Sequence, residues 1–265
     1  MKNHFKGKYY KFISEDGFSF AIILSNSNDG NQIQLITKKD SYIVNDIEQV
    51  KTDLDSFFEF NIDQDNLVLK GKLFLGKLNP LKKKVMGPFS YIPFMECKHN
   101  IYSMYHDVKG EVEYNGIKHE FNNGIGYIEG DKGVNFPKKY IWYNSLTKDS
   151  TLTLAIASIP FGLFSFTGVL CFIKSENKEY YFCTWNRVRI NKIDKYYLEL
   201  KKGKYILKIE LPEVKGHNLN APVKGNMNRF IKENLAISSS YILAYKNQVI
   251  LEAKDPFSSC EWMWS

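Results

Sequence analysis

Period-two alternation of apolar and polar residues runs through most of the chain. Leu67, Leu69, Leu73 and Leu75 fall on one side of an extended segment and Lys70 and Lys72 on the other, the pattern of a half-buried antiparallel strand. Val112-Glu113-Tyr114 and Ile117-Lys118-His119 flank Asn115-Gly116, a pair that accepts the positive φ angles of a two-residue hairpin. The design recurs over 196–211 around Lys202-Gly203, where Tyr205, Leu207, Ile209 and Leu211 alternate with Lys204, Lys208 and Glu210, and again over 240–253 around Lys246-Asn247. Helical spacing is scarce: Ile47, Val50 and Leu54 match it loosely, and 228–235 offers two turns. The pattern predicts an all-β protein of antiparallel meanders, closed into barrels or folded into sandwiches so that few edges stay open. No internal repeat or low-complexity stretch is visible. The most apolar window, 152–172, is about as long as a bilayer crossing requires, but Thr, Ser, Pro160 and two glycines interrupt it. Its front half alternates, which predicts buried strands around a turn at Ile159-Pro160-Phe161-Gly162.

Residues 124–144 depart from this regularity. They hold four glycines, Gly124, Gly126, Gly130 and Gly133, where a hairpin tip needs one or two. On a strand Tyr127, Glu129 and Asp131 share one face, a phenol beside two carboxylates, and Tyr140 and Trp142 share a face further on. This concentration predicts the border of a large, mainly apolar pocket with Tyr127, Glu129 and Trp142 near its wall.

Several residues are candidates for chemistry. Two nearby carboxylates raise one another's pKa, so Glu129 or Asp131 could persist as a carboxylic acid; the alternative is a pair of turn carboxylates accepting backbone N–H groups. Asp131 lies nearer the expected turn, which favours Glu129 as the acid. Glu96, flanked by Phe94, Met95 and Cys97, must be paired or protonated, and both an ion pair with Lys98 or Arg229 and a site role are open. His99 falls on the face of Tyr91, Met95, Cys97 and Ile101, as a core histidine or a ligand contact, and Trp142 reads as a core anchor first and a cation-stabilising wall second. His99, His106 and His119 lack ligand spacing and no Gly-rich loop precedes a helix, so neither a metal nor a cofactor is expected.

The run Gly-Tyr-Ile-Glu at 126–129, with Asp131, Gly133, Phe136-Pro137, Tyr140 and Trp142, resembles the signature of the tocopherol cyclase family. Four further blocks resemble it in order: Phe5-Lys6-Gly7-Lys8-Tyr9-Tyr10-Lys11; Gly87-Pro88-Phe89 through Pro93-Phe94-Met95-Glu96-Cys97-Lys98-His99; Thr184-Trp185-Asn186; and Ala221-Pro222-Val223-Lys224-Gly225-Asn226-Met227-Asn228-Arg229. Lys8 stands where the family places Trp, and Val134-Asn135 where the plant enzymes carry a longer, Trp-containing insertion. The resemblance implies a two-part lipocalin-like β architecture, here divided as 1–147 and 148–265 at the seam Lys148-Asp149-Ser150. It also implies a cofactor-free reaction in which a prenyl double bond is protonated and the cation is closed by a phenol oxygen, or quenched by water. Glu129, Asp131 and Glu96 are then the catalytic candidates. Tyr127, Asn135, Phe136, Tyr140, Trp142 and His99 would hold an apolar, isoprenoid-like substrate. A carrier with the same pocket and no chemistry is the alternative, and an interaction protein with a collapsed interior a third.

Composition narrows this further. Aromatic residues reach 15%, which suits strands and the wall of an apolar pocket. The net charge of +7 comes from lysines spread along strand faces and from Lys82-Lys83-Lys84; with no nucleic-acid-binding motif beside it, it favours peripheral contact with an anionic membrane over nucleic acid. Four cysteines without C-x-x-C spacing, and no secretory signal pattern, predict free thiols in the cytoplasm. The abundance of Lys, Asn, Ile and Tyr suggests an AT-rich bacterial genome.

Overall fold

The structure is a computed structural model and describes residues 4–44, 46–53, 55–92, 95–161, 164–176, 178–213 and 215–264. Leu54, Pro93, Phe94 and Gly162, named above, lie outside it. Ten strands make the first sheet: β1 (Phe5–Ile13), β2 (Ser19–Ser27), β3 (Gly30–Thr37), β4 (Ser41–Val44), β5 (Val50–Asp53), β6 (Phe57–Gln64), β7 (Leu67–Leu75), β8 (Cys97–Tyr114), β9 (Ile117–Glu120) and β10 (Gly124–Gly133). Ten more make the second: β11 (Tyr140–Leu146), β12 (Ser150–Phe161), β13 (Phe164–Ser175), β14 (Lys178–Cys183), β15 (Arg189–Asp194), β16 (Tyr197–Lys202), β17 (Tyr205–Glu210), β18 (His217–Val223), β19 (Asn226–Tyr245) and β20 (Gln248–Met263). Among the described residues the helical turns are the short 3-10 segments Ile47–Gln49, Gly87–Tyr91 and Thr184–Asn186, and no helix is long and apolar enough to cross a membrane.

The first sheet is ordered β4-β3-β2-β1-β10-β8-β7-β6-β5, with β9 hairpinned onto β8 across Asn115-Gly116. The second is ordered β14-β13-β12-β11-β20-β19-β17-β16-β15, with β18 on β19. The two orders follow the same path except that the strand off the path comes after its partner in the first sheet (β9 after β8) and before it in the second (β18 before β19), a likeness of topology that no sequence repeat announces. By contact the chain divides into one unit of Met1–Lys84, Met95–Phe136 and Leu219–Phe230, and another of Val85–Phe94, Pro137–Asn218 and Ile231–Ser265. Lys148-Asp149, read as a seam, lies in the turn between β11 and β12 inside the second unit.

Each unit buries its own core. In the first, Tyr10, Phe12, Phe20, Ile22, Phe58, Leu69, Leu73, Val108 and Ile128 form one cluster, with edge-to-face rings such as Tyr10–Phe58 at 4.6 Å. Val44 of β4 and Val50 of β5, from opposite ends of the strand order, join that cluster, so the sheet curls around a single interior. In the second, Ile141, Tyr143, Leu154, Ile156, Leu200, Leu207, Tyr241 and Leu243 do the same.

Two local expectations are corrected. Residues 228–235 are not helical but part of β19, where Ile231, Glu233 and Leu235 are buried in strict alternation; a glutamate at an inward position disguised the period. The chain does not turn at Pro160: β12 runs through it to Phe161, pairing Pro160 with Ser165 of β13. Beyond Ala157 this strand has no β11 partner, so the missing proline N–H costs no ladder bond there. The late block docks on the first unit, where Gly225 N–H donates to Val134 O at 2.9 Å and Pro222 O accepts from Phe136 N–H at 3.1 Å.

Candidate functional site

The candidate site is built on β10 and its two neighbours. Ile128 of β10 points into the first core, which turns Tyr127, Glu129 and Asp131 to the opposite face. That face is buried as well: Tyr127 has no exposure and Glu129 has 5%. A strand buried on both sides and carrying two carboxylates must give them partners.

The partners come from β8, whose His99 is directly opposite Asp131 and whose Ile101 is opposite Glu129. His99 Nδ1 lies 3.1 Å from Asp131 Oδ1, and its Nε2 lies 3.6 Å from Glu129 Oε2. Tyr127 Oη donates to Glu129 Oε2 at 2.5 Å, and Cys97 Sγ donates to Asp131 Oδ1 at 3.4 Å. Burial opposes charge on the His99 ring, but Glu129 and Asp131 outweigh it and lift its pKa from 6.5 to about 9. Burial and then Asp131 push the Cys97 thiol well above its ordinary range, so it stays a donor. The pair of mutually repelling carboxylates expected from the sequence is thus a carboxylate–imidazolium–carboxylate row. His99 is an ion-paired cation, not a plain core histidine.

The ligand atoms of His99, Glu129 and Asp131 also lie within 4.8 Å of one another, a spacing that fits a metal ion as well as a proton. Nε2 and Glu129 would bind it while Nδ1–H donates to Asp131, the usual support of a ligating imidazole, and the ion would first have to displace the His99 proton.

Two register shifts interrupt the β10–β8 ladder, between Gly126 and Ile128 and between Ile128 and Glu129. The extra residues are on β8, and they re-aim its side chains beside the row. They bring His106 under Gly126, where a Cβ would lie 2.4 Å from the ring Nε2, and His106 Nδ1 reaches Ser103 Oγ at 3.1 Å. Burial holds His106 neutral, its pKa lowered to about 4. At the other end of β10, a Cβ on Gly133 would fall 2.0 Å from Glu96 O. The glycines of the signature therefore serve close approach of neighbouring strands.

The remaining predicted residues are distributed differently. Glu96 is half-buried and accepts from Asn135 Nδ2 at 3.0 Å, while Asn135 Oδ1 accepts from Lys224 N–H at 2.6 Å. Asn135 thus ties the second and last motif blocks together. Phe136 packs edge-on against Phe5 at 5.3 Å, and its carbonyl accepts from Arg229. Tyr140 and Trp142 belong to β11 of the second unit, where Tyr140 Oη donates to Glu261. Sequence reasoning missed Lys11, fully buried and in register with Tyr127, although a lone cation inside the apolar run Tyr9-Tyr10-Lys11-Phe12-Ile13 was a usable signal. It also missed the buried Glu233 and Glu261. An open groove of about 1140 Å³ on the first sheet is lined by Glu59, Lys72, Phe74, Glu111 and Glu120 and contains none of these residues.

Comparison of the fold gives clear neighbours. No protein-family model matches the chain. No curated protein matches it in sequence. Among solved structures, CghA with Sch210972 superposes with a TM-score of 0.62 at 8% identity, covering 100% of this chain and 89% of CghA. Kievitone hydratase from Nectria haematococca superposes with a TM-score of 0.56 at 10% identity, covering 98% and 89%. An AttH-like protein from Nitrosomonas europaea gives 0.54 at 10%, covering 100% and 93%. The chain has the all-β, lipocalin-like fold of these proteins, with its two antiparallel sheets.

Proposed function

We propose that this protein binds an apolar, isoprenoid-like small molecule and performs cofactor-free acid–base chemistry on it, a cyclisation or hydration of the tocopherol-cyclase kind. The observation that carries this reading is the row of buried Tyr127 and Glu129 with half-buried His99 and Asp131. His99 holds a proton that can be given, and Glu129, already hydrogen-bonded to a phenol, can take one from a substrate hydroxyl or from water. Glu129 and Asp131 flank the ring, and carboxylates so placed can support a substrate transition state that develops positive charge. The acid role assigned to Glu129 from sequence moves in this proposal to His99, with Glu129 as its counter-ion and acceptor. Glu96, clamped by Asn135, serves the scaffold.

The fold neighbours support the class of chemistry, since one is a hydratase and another was solved with Sch210972. Four free thiols support a reducing compartment such as the cytoplasm. A carrier remains the second reading, because the same row could fix the polar end of an apolar ligand without changing it.

Mass spectrometry of molecules that copurify under native conditions identifies the ligand. Single-turnover conversion of that molecule is then compared in wild type, His99→Gln and Glu129→Gln at matched occupancy. Removing a general acid or base costs about 10²- to 10⁴-fold in rate. Unchanged rates in both variants would remove the row from the chemistry, and tight binding without conversion by the wild type would make the protein a carrier.

A further inference from the structure

The apolar window over 152–172, which the candidate site does not use, contains a ribbon that the second sheet leaves without neighbours. β12 and β13 pair as far as Phe161 with Phe164. β11 accompanies β12 only to Ala157, and β14 accompanies β13 only from Leu170 onward. Among the described residues, the pairs Ile159–Phe166, Pro160–Ser165 and Phe161–Phe164 therefore have no third strand on either side. Two strands alone are marginal in water, and open edges are ordinarily guarded by charged side chains. This hairpin has no such guard: no charged residue stands between Ser150 and Ile173.

Aromatic rings hold the ribbon instead. Phe166 stacks on Phe89 of the 3-10 segment Gly87–Tyr91 with ring centroids 6.0 Å apart, and Phe89 meets Trp185 edge-on at 6.4 Å. Gly87 lets that indole close in, since a Cβ there would lie 2.7 Å from its ring. Beyond these contacts Phe164, in the ribbon, is 79% exposed, and Tyr91, two residues past Phe89, is 78% exposed. Cations and indoles surround the base. Ser158 N–H donates to Lys139 O at 2.9 Å where the ribbon leaves β11. Lys138 beside it is exposed, and Lys139 Nζ lies 4.7 Å from the centre of the Trp264 ring. On the other strand Val169 N–H donates to Thr184 Oγ1 at 2.7 Å, which brings Trp185 and the exposed Arg187 to that edge.

Apolar rings outermost, indoles behind them and cations around the base follow the order of a bilayer surface: acyl boundary, interface and lipid phosphate. We infer that this end of the second unit docks on an anionic phospholipid surface, with Phe164 and Tyr91 entering the boundary between headgroups and acyl chains and Lys138 and Arg187 lying over lipid phosphates. Entry is shallow, about 5–10 Å, because the open backbone edges must stay where water or headgroups can hydrogen-bond them. A second copy pairing on those edges would cover them too, but a two-fold contact there would bring the cations of one copy against the same cations of the other. An anionic surface meets them with opposite charge. The docking is independent of whether the protein converts its ligand or only carries it.

Cosedimentation of the full chain with lipid vesicles, without any substrate, tests this. Binding is expected on vesicles of equal parts phosphatidylcholine and phosphatidylglycerol, weakening as salt is raised, and much weaker binding on phosphatidylcholine alone. Phe164→Ser and Tyr91→Ser should each lower the partition coefficient about tenfold. Lys138→Gln should lower it about fivefold, on the anionic vesicles only. Phe74→Ser, at a 52% exposed ring of β7, should change nothing. All four are surface positions, so urea unfolding of each variant should match the wild type and show that the fold is kept. No vesicle binding by the wild type, equally tight binding on neutral vesicles, or binding untouched by both ring substitutions would overturn the inference. So would a lipid-free dimer that Phe164→Ser breaks, which would assign the ribbon to a second copy of the chain.

Discussion

Stability should peak near pH 6.5 and fall on both sides, because two histidines of the first unit titrate in opposite directions. His99 rises from 6.5 to about 9 in the folded protein. Between those values the folded state keeps a proton that the unfolded chain has lost. Its contribution is complete below pH 6.5 and disappears as pH rises through 9. At about 1.36 kcal/mol per pH unit, that interval is worth about 3 kcal/mol. His106 is lowered from 6.5 to about 4. Between those values the unfolded chain binds a proton that the folded state refuses, so stability is complete above pH 6.5 and declines as pH falls, again by about 3 kcal/mol at the limit. Urea unfolding at closely spaced pH values reads both arms, and the acid arm is best followed above pH 5, before most carboxylates titrate. His99→Gln should flatten the alkaline arm and His106→Gln the acid arm, each leaving the other intact. An alkaline arm that is absent in the wild type, or that survives His99→Gln, would refute the ion-paired imidazolium and the row built on it.

Two substitutions test the scaffold around the row. Gly126→Ala should cost about 1–3 kcal/mol in urea unfolding, since the new Cβ meets an imidazole held in place by Ser103, and His106→Ala in the same background should recover part of the loss. Asn135→Ala should cost about 1 kcal/mol for each of its two hydrogen bonds and speed amide exchange at Lys224, with exchange in the β10 core unchanged.

Much of this was legible in the chain because it depends on near neighbours in sequence. The Asn115-Gly116 hairpin follows from turn chemistry, and the shared face of Tyr127, Glu129 and Asp131 follows from strand period alone. His99 was visible, but its position between the two carboxylates depends on β8 pairing with β10 through two register shifts, and no local pattern reports those shifts. Glu233 was hidden for the opposite reason: a buried charge in β19 broke the alternation that would have revealed the strand. The excess of glycines over what a hairpin tip needs was legible, yet what they make room for, the His106 ring and the Glu96 carbonyl, is fixed by tertiary pairing.

The shared strand order of the two sheets bears on how the chain assembles as it is made. In each, the first strand lies directly beside the last, β1 against β10 and β11 against β20, and that last strand sits at the middle of the sheet. Such closure brings together residues more than a hundred positions apart, and it makes folding slow relative to chains rich in local contacts. The meanders on either side can form as they leave the ribosome, but neither can be joined to the other until its central strand has emerged. For the second sheet that strand is Gln248–Met263, so ribosome-bound chains stalled before it should expose β11 and β19 as open edges, the state in which such a protein is most vulnerable to aggregation and proteolysis.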